Sequence, residues 1–200
     1  MATACFADFP GRYLYESAWN RGSRIGSMRS LTAVCPPRLS TERIEQIKQT
    51  TNAIATCAAT DAALRDHLKV EVVTDITEQS VQFITPAVQG YTLERYIDDP
   101  DRFDESTEHL SAKLDDMVSV LQRLAQHGFV HGDVHPGNLM YEPATGRFVL
   151  IDFERAQDFR TASGEHGEAL RSAHKADLEN LADAHGELRG VLEERDLGRG

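Results

Sequence analysis

The sequence has few cysteines, a deficit of cations and no long apolar run. Its cysteines, Cys5, Cys35 and Cys57, are odd in number and match no metal or redox spacing, so we expect free thiols in a reducing compartment. The 21 Lys and Arg residues are outnumbered by 32 Asp and Glu, and the formal net charge of −11 disfavours nucleic acid as a partner. No segment reaches the roughly 18 apolar residues that span a bilayer, so no membrane span is expected.

The first residues of the chain also lack the features of a secretory signal. Residues 1–13 have neither a basic start nor a long apolar core. We therefore expect a soluble chain that is made in a cytoplasm and is not exported by the general secretory route. Residues 1–38 show no regular pattern and are expected to be irregular. The 200 residues, 40% of them hydrophobic, are enough to bury a core.

The first half of the chain contains one helical segment and two strand-like segments. A helix, or two helices, is predicted over 41–67, after a capping hydroxyl at Ser40. Two β-like runs follow, over 69–76 and 80–88, and the short polar segment between them suits a hairpin.

The clearest helix of the sequence covers residues 106–127. Five apolar residues recur at three- and four-residue steps and so line one face, namely Leu110, Leu114, Met117, Leu121 and Leu124. Gly128 is expected to end this helix. A second hairpin is predicted over residues 139–152, and a last helix over 173–195. Strands, a central helix and then a hairpin predict an α+β fold.

The densest group of polar residues reads H-G-D-V-H-P-G-N from His131 to Asn138, and Asp152-Phe153-Glu154 follows the second hairpin. Both segments resemble the protein-kinase-like superfamily, whose catalytic loop is H-R-D with Asn five positions after the Asp, and whose metal-binding segment is D-F-G. Phosphoryl transfer needs a carboxylate that accepts the proton of the attacking hydroxyl and hard oxygen ligands for Mg²⁺. The resemblance implies ATP as donor, Asp133 as base, Asn138 and Asp152 as metal ligands, and His131 as the residue that orients the loop.

The same resemblance extends to the segments that bind adenine in kinases. The segment around residues 83–94 is similar to the kinase hinge and the helix after it, which makes Thr85 the gatekeeper. Pro86 and Val88 would then present backbone groups to adenine, and Leu139 would pack beneath the base. Asp177 lies in a segment similar to the start of the kinase F helix. It either bonds the backbone of the catalytic loop or is a favourable charge at a helix N-terminus.

The features of a kinase N-terminal lobe are weaker in this sequence. Only Gly22–Gly26 is similar to the glycine-rich loop, and the strand lysine is not evident. Arg29 is the candidate replacement, although an arginine has a different reach and geometry. Lys48 lies closer to the usual distance from Asp133 but falls inside the predicted helix, and the helix partner is Glu45 or Glu42. Glu154 takes the place of the last glycine of D-F-G and restricts the backbone there.

The resemblance implies a bilobal fold, with a small β-rich N-lobe over 1–88 that holds one helix. A truncated, mainly helical C-lobe over 89–200 would carry the site and end near the F helix. Minimal kinases of about this length are similar, both the Bud-type atypical kinases and the effector kinases that bacteria inject through type III systems. We expect an ATP- and Mg²⁺-dependent Ser/Thr protein kinase.

The protein substrate of such an effector would be a host protein, and the effector would reach the host cytoplasm by a route other than general secretion. Two alternatives stay open. The motif H-G-D-x-H-P-G-N is more similar to the loop of small-molecule kinases of the aminoglycoside and choline phosphotransferase type than to H-R-D. The missing lysine and Glu154 suit a nucleotide-binding pseudokinase. No residue pattern indicates an oligomeric state.

Overall fold

The computed structural model describes residues 24–25, 28–33, 40–70, 72–76, 81–86, 88–100, 105–160 and 166–198. In chain order, the elements are β1 (Arg24–Ile25), β2 (Met28–Ala33), α1 (Thr41–Thr60), α2 (Ala62–His67), β3 (Leu68–Lys69), β4 (Val72–Ile76), β5 (Val81–Pro86), β6 (Tyr91–Thr92), α3 (Leu93–Asp98), α4 (Thr107–Gln126), β7 (Phe129–Val130), β8 (Leu139–Glu142), β9 (Arg147–Ile151), β10 (Gln157–Asp158) and α5 (His166–Gly198). The predicted glycine-rich segment lies partly outside the described residues, and Cys5 and Cys35 lie wholly outside them.

The first sheet is antiparallel, with the strand order β1-β2-β5-β4. Strand β2 pairs with β5 over its full length, from Met28 opposite Pro86 to Ala33 opposite Val81. The prediction of irregular structure over 1–38 is therefore wrong at β1 and β2, because these short segments gain their regular structure from pairing with each other and, for β2, with β5. The predicted hairpin of the two β-like runs is confirmed by the pairing of β4 with β5.

Asp61 divides the helical segment predicted over 41–67 into α1 and α2. Its backbone is extended, and its carboxylate accepts hydrogen bonds from the N–H groups of Ala63 and Leu64, so it caps α2. The run predicted as one strand over 69–76 is also divided. Strand β3 pairs in parallel with β9, whereas β4 belongs to the first sheet.

The apolar face predicted for the central helix is confirmed. Its five apolar residues are all buried in the main core. Gly128 follows the helix with a φ of +82°, a left-handed conformation that glycine adopts without strain. The core continues into the β8–β9 hairpin and into α5, through Leu181, Leu188 and Leu192. Burying each such leucine contributes about 2 kcal/mol.

Helix α5 is longer at both ends than the predicted 173–195. Residues 167–172 are exposed or only half-buried and carry no continuous apolar face, so the sequence shows no helical period there. A second sheet has the order β3-β9-β8-β6, and β7 pairs with β10. The α+β fold class is thus confirmed. Among the described residues, no helix has both the length and the apolar character that a membrane crossing requires.

Candidate active site

The catalytic loop, residues 131–138, follows β7 and begins with a fully buried histidine. In His131, Nε2–H donates to the backbone oxygen of Ile151 at 3.0 Å, and Nδ1 accepts from the backbone N–H of Asp133 at 3.3 Å. Burial lowers the pKa of His131, because the cationic ring would lose its hydration. The neutral ring of His131 therefore links the backbone of Asp133 to that of Ile151, the residue directly before Asp152.

The side chain of Asn138 closes the loop from the other end. It is fully buried, and its Nδ2 donates to the backbone oxygen of Asp133 at 3.0 Å. Its Oδ1 is buried and has no hydrogen-bond partner in the described part of the chain. Leaving such an oxygen unpaired costs about 1–3 kcal/mol, so it is suited to accept a cation.

Asp152, which is also buried, contributes a carboxylate to the same region. An amide oxygen and a carboxylate are hard ligands that suit Mg²⁺, which takes its remaining oxygens from phosphate and water. The residues present therefore fit a metal–nucleotide complex. In the described ranges, His, Cys, Asp and Glu form no cluster of three that could hold a metal ion.

Asp177 anchors the backbone of the catalytic loop from α5. Its Oδ2 accepts from the N–H of His131 at 2.9 Å, and its Oδ1 accepts from the N–H of Gly132 at 3.0 Å. Because α5 begins at His166, Asp177 lies inside the helix and not at its N-terminus. The predicted bond to the loop is confirmed, and the alternative of a terminal helix charge is wrong.

Gly132 occupies a position that only glycine fits. Its φ is +76°, and a Cβ atom there would lie 2.8 Å from the backbone oxygen of Arg155. A side chain would strain the backbone and collide with this oxygen. The glycine of H-G-D therefore lets the Arg155 backbone lie directly against the catalytic loop.

The segment from Asp152 to Glu154 is held by contacts on two sides. Asp152 has a φ of +64°, a conformation that Asp tolerates better than most residues. The ring of Phe153 is buried, with its centroid 4.7 Å from that of His131. From α1, Arg43 Nη2 donates to the backbone oxygen of Glu154 at 3.2 Å. No motif in the sequence indicates Arg43, which links α1 to the residues next to the candidate metal ligand.

The carboxylate of Asp133 lies at the exposed side of the loop. Its Oδ1 is 3.3 Å from Nη1 of Arg155, and its Oδ2 is 3.9 Å from Nε2 of His135. Nδ1 of His135 accepts from the N–H of Gly137 at 3.1 Å, so Nε2 is the nitrogen that can donate toward Asp133. The sequence does not indicate a role for Arg155, because no motif or spacing distinguishes it from other polar residues.

A small apolar cluster, separate from the main core, consists of Val88, Met140, Val149 and Ile151. Leu139, predicted to pack beneath adenine, belongs to the main core instead. Neighbouring strand residues point to opposite faces, so Leu139 and Met140 lie on opposite faces of β8. It is Met140 that shares a cluster with Val88 of the predicted hinge. The two-residue period of a strand shows that these two residues face opposite sides, but the contacts of the folded chain decide which of them faces Val88.

The other predicted nucleotide-binding residues lie on the first sheet and α1. Arg29 on β2 is the cross-strand partner of Thr85, and Pro86 ends β5. The candidate lysine replacement and the candidate gatekeeper are therefore neighbours in the sheet. Glu45 lies on α1, with its carboxylate 3.8 Å from Nζ of Lys48. The roles of these residues in nucleotide binding stay predictions.

Individual relatives match this chain over limited regions. Two proteins of Encephalitozoon cuniculi (strain GB-M1), probable cell division control protein 7 homologs 1 and 2, are 34% identical to it over 55 residues, which is 28% of this chain. The matched region spans 16% of the length of these curated relatives. The structure of the Cydia pomonella granulovirus kinase PK-1 is similar with 14% identity and a TM-score of 0.44, covering 66% of this chain and 43% of that one.

A family model covers a much larger part of the chain. The model of the ABC1 atypical kinase-like domain matches residues 47–185. This range runs from α1 to α5 and contains the catalytic loop, Asp152 and Asp177. The predicted kinase-like fold, with a small sheet and a mainly helical remainder, is confirmed. Because the match spans more than half of its residues, the chain belongs to the ABC1 atypical kinase-like family.

Proposed function

We propose that this chain is an ATP- and Mg²⁺-dependent phosphotransferase whose acceptor is a serine or threonine hydroxyl of a protein. One observation carries the proposal. The imidazole of His131 bonds both the backbone of Asp133 and the carbonyl of Ile151, next to Asp152, while Asn138 bonds the carbonyl of Asp133. A candidate base and two candidate metal ligands are thus assembled around one buried ring.

Asp133 is the residue that orients and deprotonates the acceptor hydroxyl. It accepts a hydrogen bond from the acceptor hydroxyl, orients the oxygen toward the γ-phosphorus and takes the proton as the new P–O bond forms. The bond between the γ-phosphorus and the bridging oxygen breaks, and ADP leaves with its electron pair. Mg²⁺, when bound, neutralises charge on the phosphates, and Asn138 and Asp152 would hold it. Asp177 and His131 keep the loop preorganised, so little free energy is spent on rearrangement during transfer.

The nucleotide would lie between a lobe over 1–88 and a lobe over 89–200. Val88 and Met140 would form the apolar surface against adenine, with Met140 rather than Leu139 beneath the base. Thr85 and Pro86 would border the base from the end of β5. Arg29, beside Thr85 in the sheet, would supply a cation to the phosphates, with Glu45 as its partner.

The experiment is transfer of labelled γ-phosphate to the chain itself and to proteins of a cell lysate, followed by mass spectrometry. We expect Asp133→Asn to lower the rate of transfer by about 10²–10⁴-fold. Asp152→Asn should lower the rate of transfer as well, and should also weaken the dependence of that rate on Mg²⁺. Asp183→Asn, an exposed aspartate on α5, is the matched control and should keep the full rate. An Asp152→Asn variant with undiminished transfer would contradict the metal role.

A small-molecule acceptor is the second candidate. The sequence H-G-D-x-H-P-G-N, which is similar to the loop of small-molecule kinases, favours it. Comparing ATP consumption with small hydroxyl compounds and with lysate proteins separates the two acceptor classes. Nucleotide binding without transfer to any acceptor would instead support the pseudokinase alternative that Glu154 suggests.

The action of the chain as an injected effector on a host protein stays a prediction. A reporter fusion that is delivered into host cells only when the injection system is intact would support this prediction.

A further inference from the structure

The exposed side of Asp133 is where an acceptor hydroxyl has to sit. In the structure this side is already occupied, because Nη1 of Arg155 lies 3.3 Å from Oδ1 of Asp133. The Asp133 side chain is 26% exposed and that of Arg155 is 64% exposed, so the guanidinium lies on the solvent side of the carboxylate. An incoming acceptor therefore meets Arg155 before or together with Asp133.

The position of Arg155 is fixed by its backbone. Its carbonyl lies against Gly132, where a Cβ atom would not fit, and the carbonyl of the preceding Glu154 is held by Arg43. The side chain, in contrast, is mobile enough to exchange partners, since an exposed ion pair contributes only about 0–1 kcal/mol. The guanidinium can therefore move from Asp133 to a ligand while the backbone of Arg155 stays in place beside the catalytic loop.

We propose that Arg155 is a specificity-determining residue that selects acceptors carrying a carboxylate or phosphate next to the reactive hydroxyl. The inference rests on the proposed function and deepens it. A planar guanidinium binds such anions through paired hydrogen bonds. When Arg155 moves from Asp133 to the acceptor anion, Oδ1 of Asp133 becomes available to take the hydroxyl proton. A neutral acceptor leaves the ion pair in place, and a cationic acceptor is repelled.

The test compares matched acceptors with wild-type protein and an Arg155→Glu variant. The peptide probes are nine residues long, with a central serine flanked by aspartates, asparagines or lysines. The small-molecule probes are glycerate and glycerol, so the two arms show whether the acidic acceptor is a peptide or a metabolite. Hydrolysis of Mg·ATP is measured in parallel and reports on the proposed function alone. Arg189→Glu, an exposed arginine on α5, changes the net charge equally and serves as the control.

Wild type and Arg189→Glu should favour the acidic probe over its neutral match by about tenfold or more in kcat/KM. Arg155→Glu should lose this preference and favour the lysine peptide, and Arg155→Gln should show no charge preference. The inference would be overturned, and the proposed function left standing, if Arg155→Glu kept the preference for acidic acceptors. Transfer by wild type without any charge preference would have the same consequence. Absence of both ATP hydrolysis and transfer in wild type would overturn the proposed function, and the inference with it.

Discussion

The catalytic loop has two sides that differ in burial and in the strength of their contacts. On the inner side, His131, Asn138 and Asp177 are buried and bond the backbone at 2.9–3.3 Å. On the outer side, Asp133, His135 and Arg155 are partly or largely exposed and interact at 3.3–3.9 Å. The inner side therefore determines where the loop lies, whereas the outer side is free to exchange its present partners for a substrate.

Removing Asp177 should have the largest effect on stability. Asp177→Ala leaves two backbone N–H groups at His131 and Gly132 without acceptors, and we expect a loss of about 2–5 kcal/mol in the free energy of unfolding. Urea unfolding monitored by circular dichroism measures this free energy. Asp183→Ala, on the exposed face of the same helix, should change stability by less than about 0.5 kcal/mol. If the two variants were equally stable, the inner side would not hold the loop.

A pair of glycine substitutions should shift stability in opposite directions. Gly132→Ala places a Cβ atom against the Arg155 carbonyl at a φ of +76°, which we expect to cost about 1–3 kcal/mol. Gly186→Ala adds a methyl group in open space inside α5 and should stabilise by about 0.5–1 kcal/mol. Thermal unfolding of both variants tests the difference. A Gly132→Ala protein as stable as wild type would contradict the close packing of the loop against Arg155.

The stability of the chain should depend on pH because His131 is neutral in the folded state and takes up a proton on unfolding. Since burial lowers its pKa below the ordinary 6.5, the unfolded chain binds a proton there that the folded chain does not. Its contribution to stability is present above pH 6.5 and is lost as the pH falls, with a slope of at most about 1.4 kcal/mol per pH unit. Urea titrations between pH 7.5 and 5 measure this slope. The slope should diminish in His131→Asn, and its full persistence there would assign the effect to another group.

Local sequence patterns predicted several features of the fold and site correctly. The spacing of Leu110, Leu114 and Leu121 identified the buried face of α4, since a period of 3.6 residues repeats along one helix. Asp177 was recognised as a possible anchor of the loop, although the sequence could not separate that role from a helix-terminal charge. The boundary of α5 decided between the two, because helix length depends on packing as well as on local pattern.

Other features depend on pairing partners that are distant in the chain. β2 is regular because β5 pairs with it, and Leu68–Lys69 leaves the first sheet because β9 offers a parallel partner. The apolar character shared by Leu139 and Met140 does not reveal which of them faces the core. Arg155 gave no sequence signal at all, because its role follows from the distance between two side chains.

The sequence by itself determined the main helices, the hairpin of β8 and β9, the apolar face of the central helix and the polar residues available for phosphoryl transfer, since each depends on neighbours a few positions away. Only the tertiary structure decided that one buried imidazole joins Asp133 to the strand before Asp152, and that an exposed guanidinium covers the candidate base. Such contacts join residues about 20 positions apart, and the chain's path through space, rather than local preference, sets their distances.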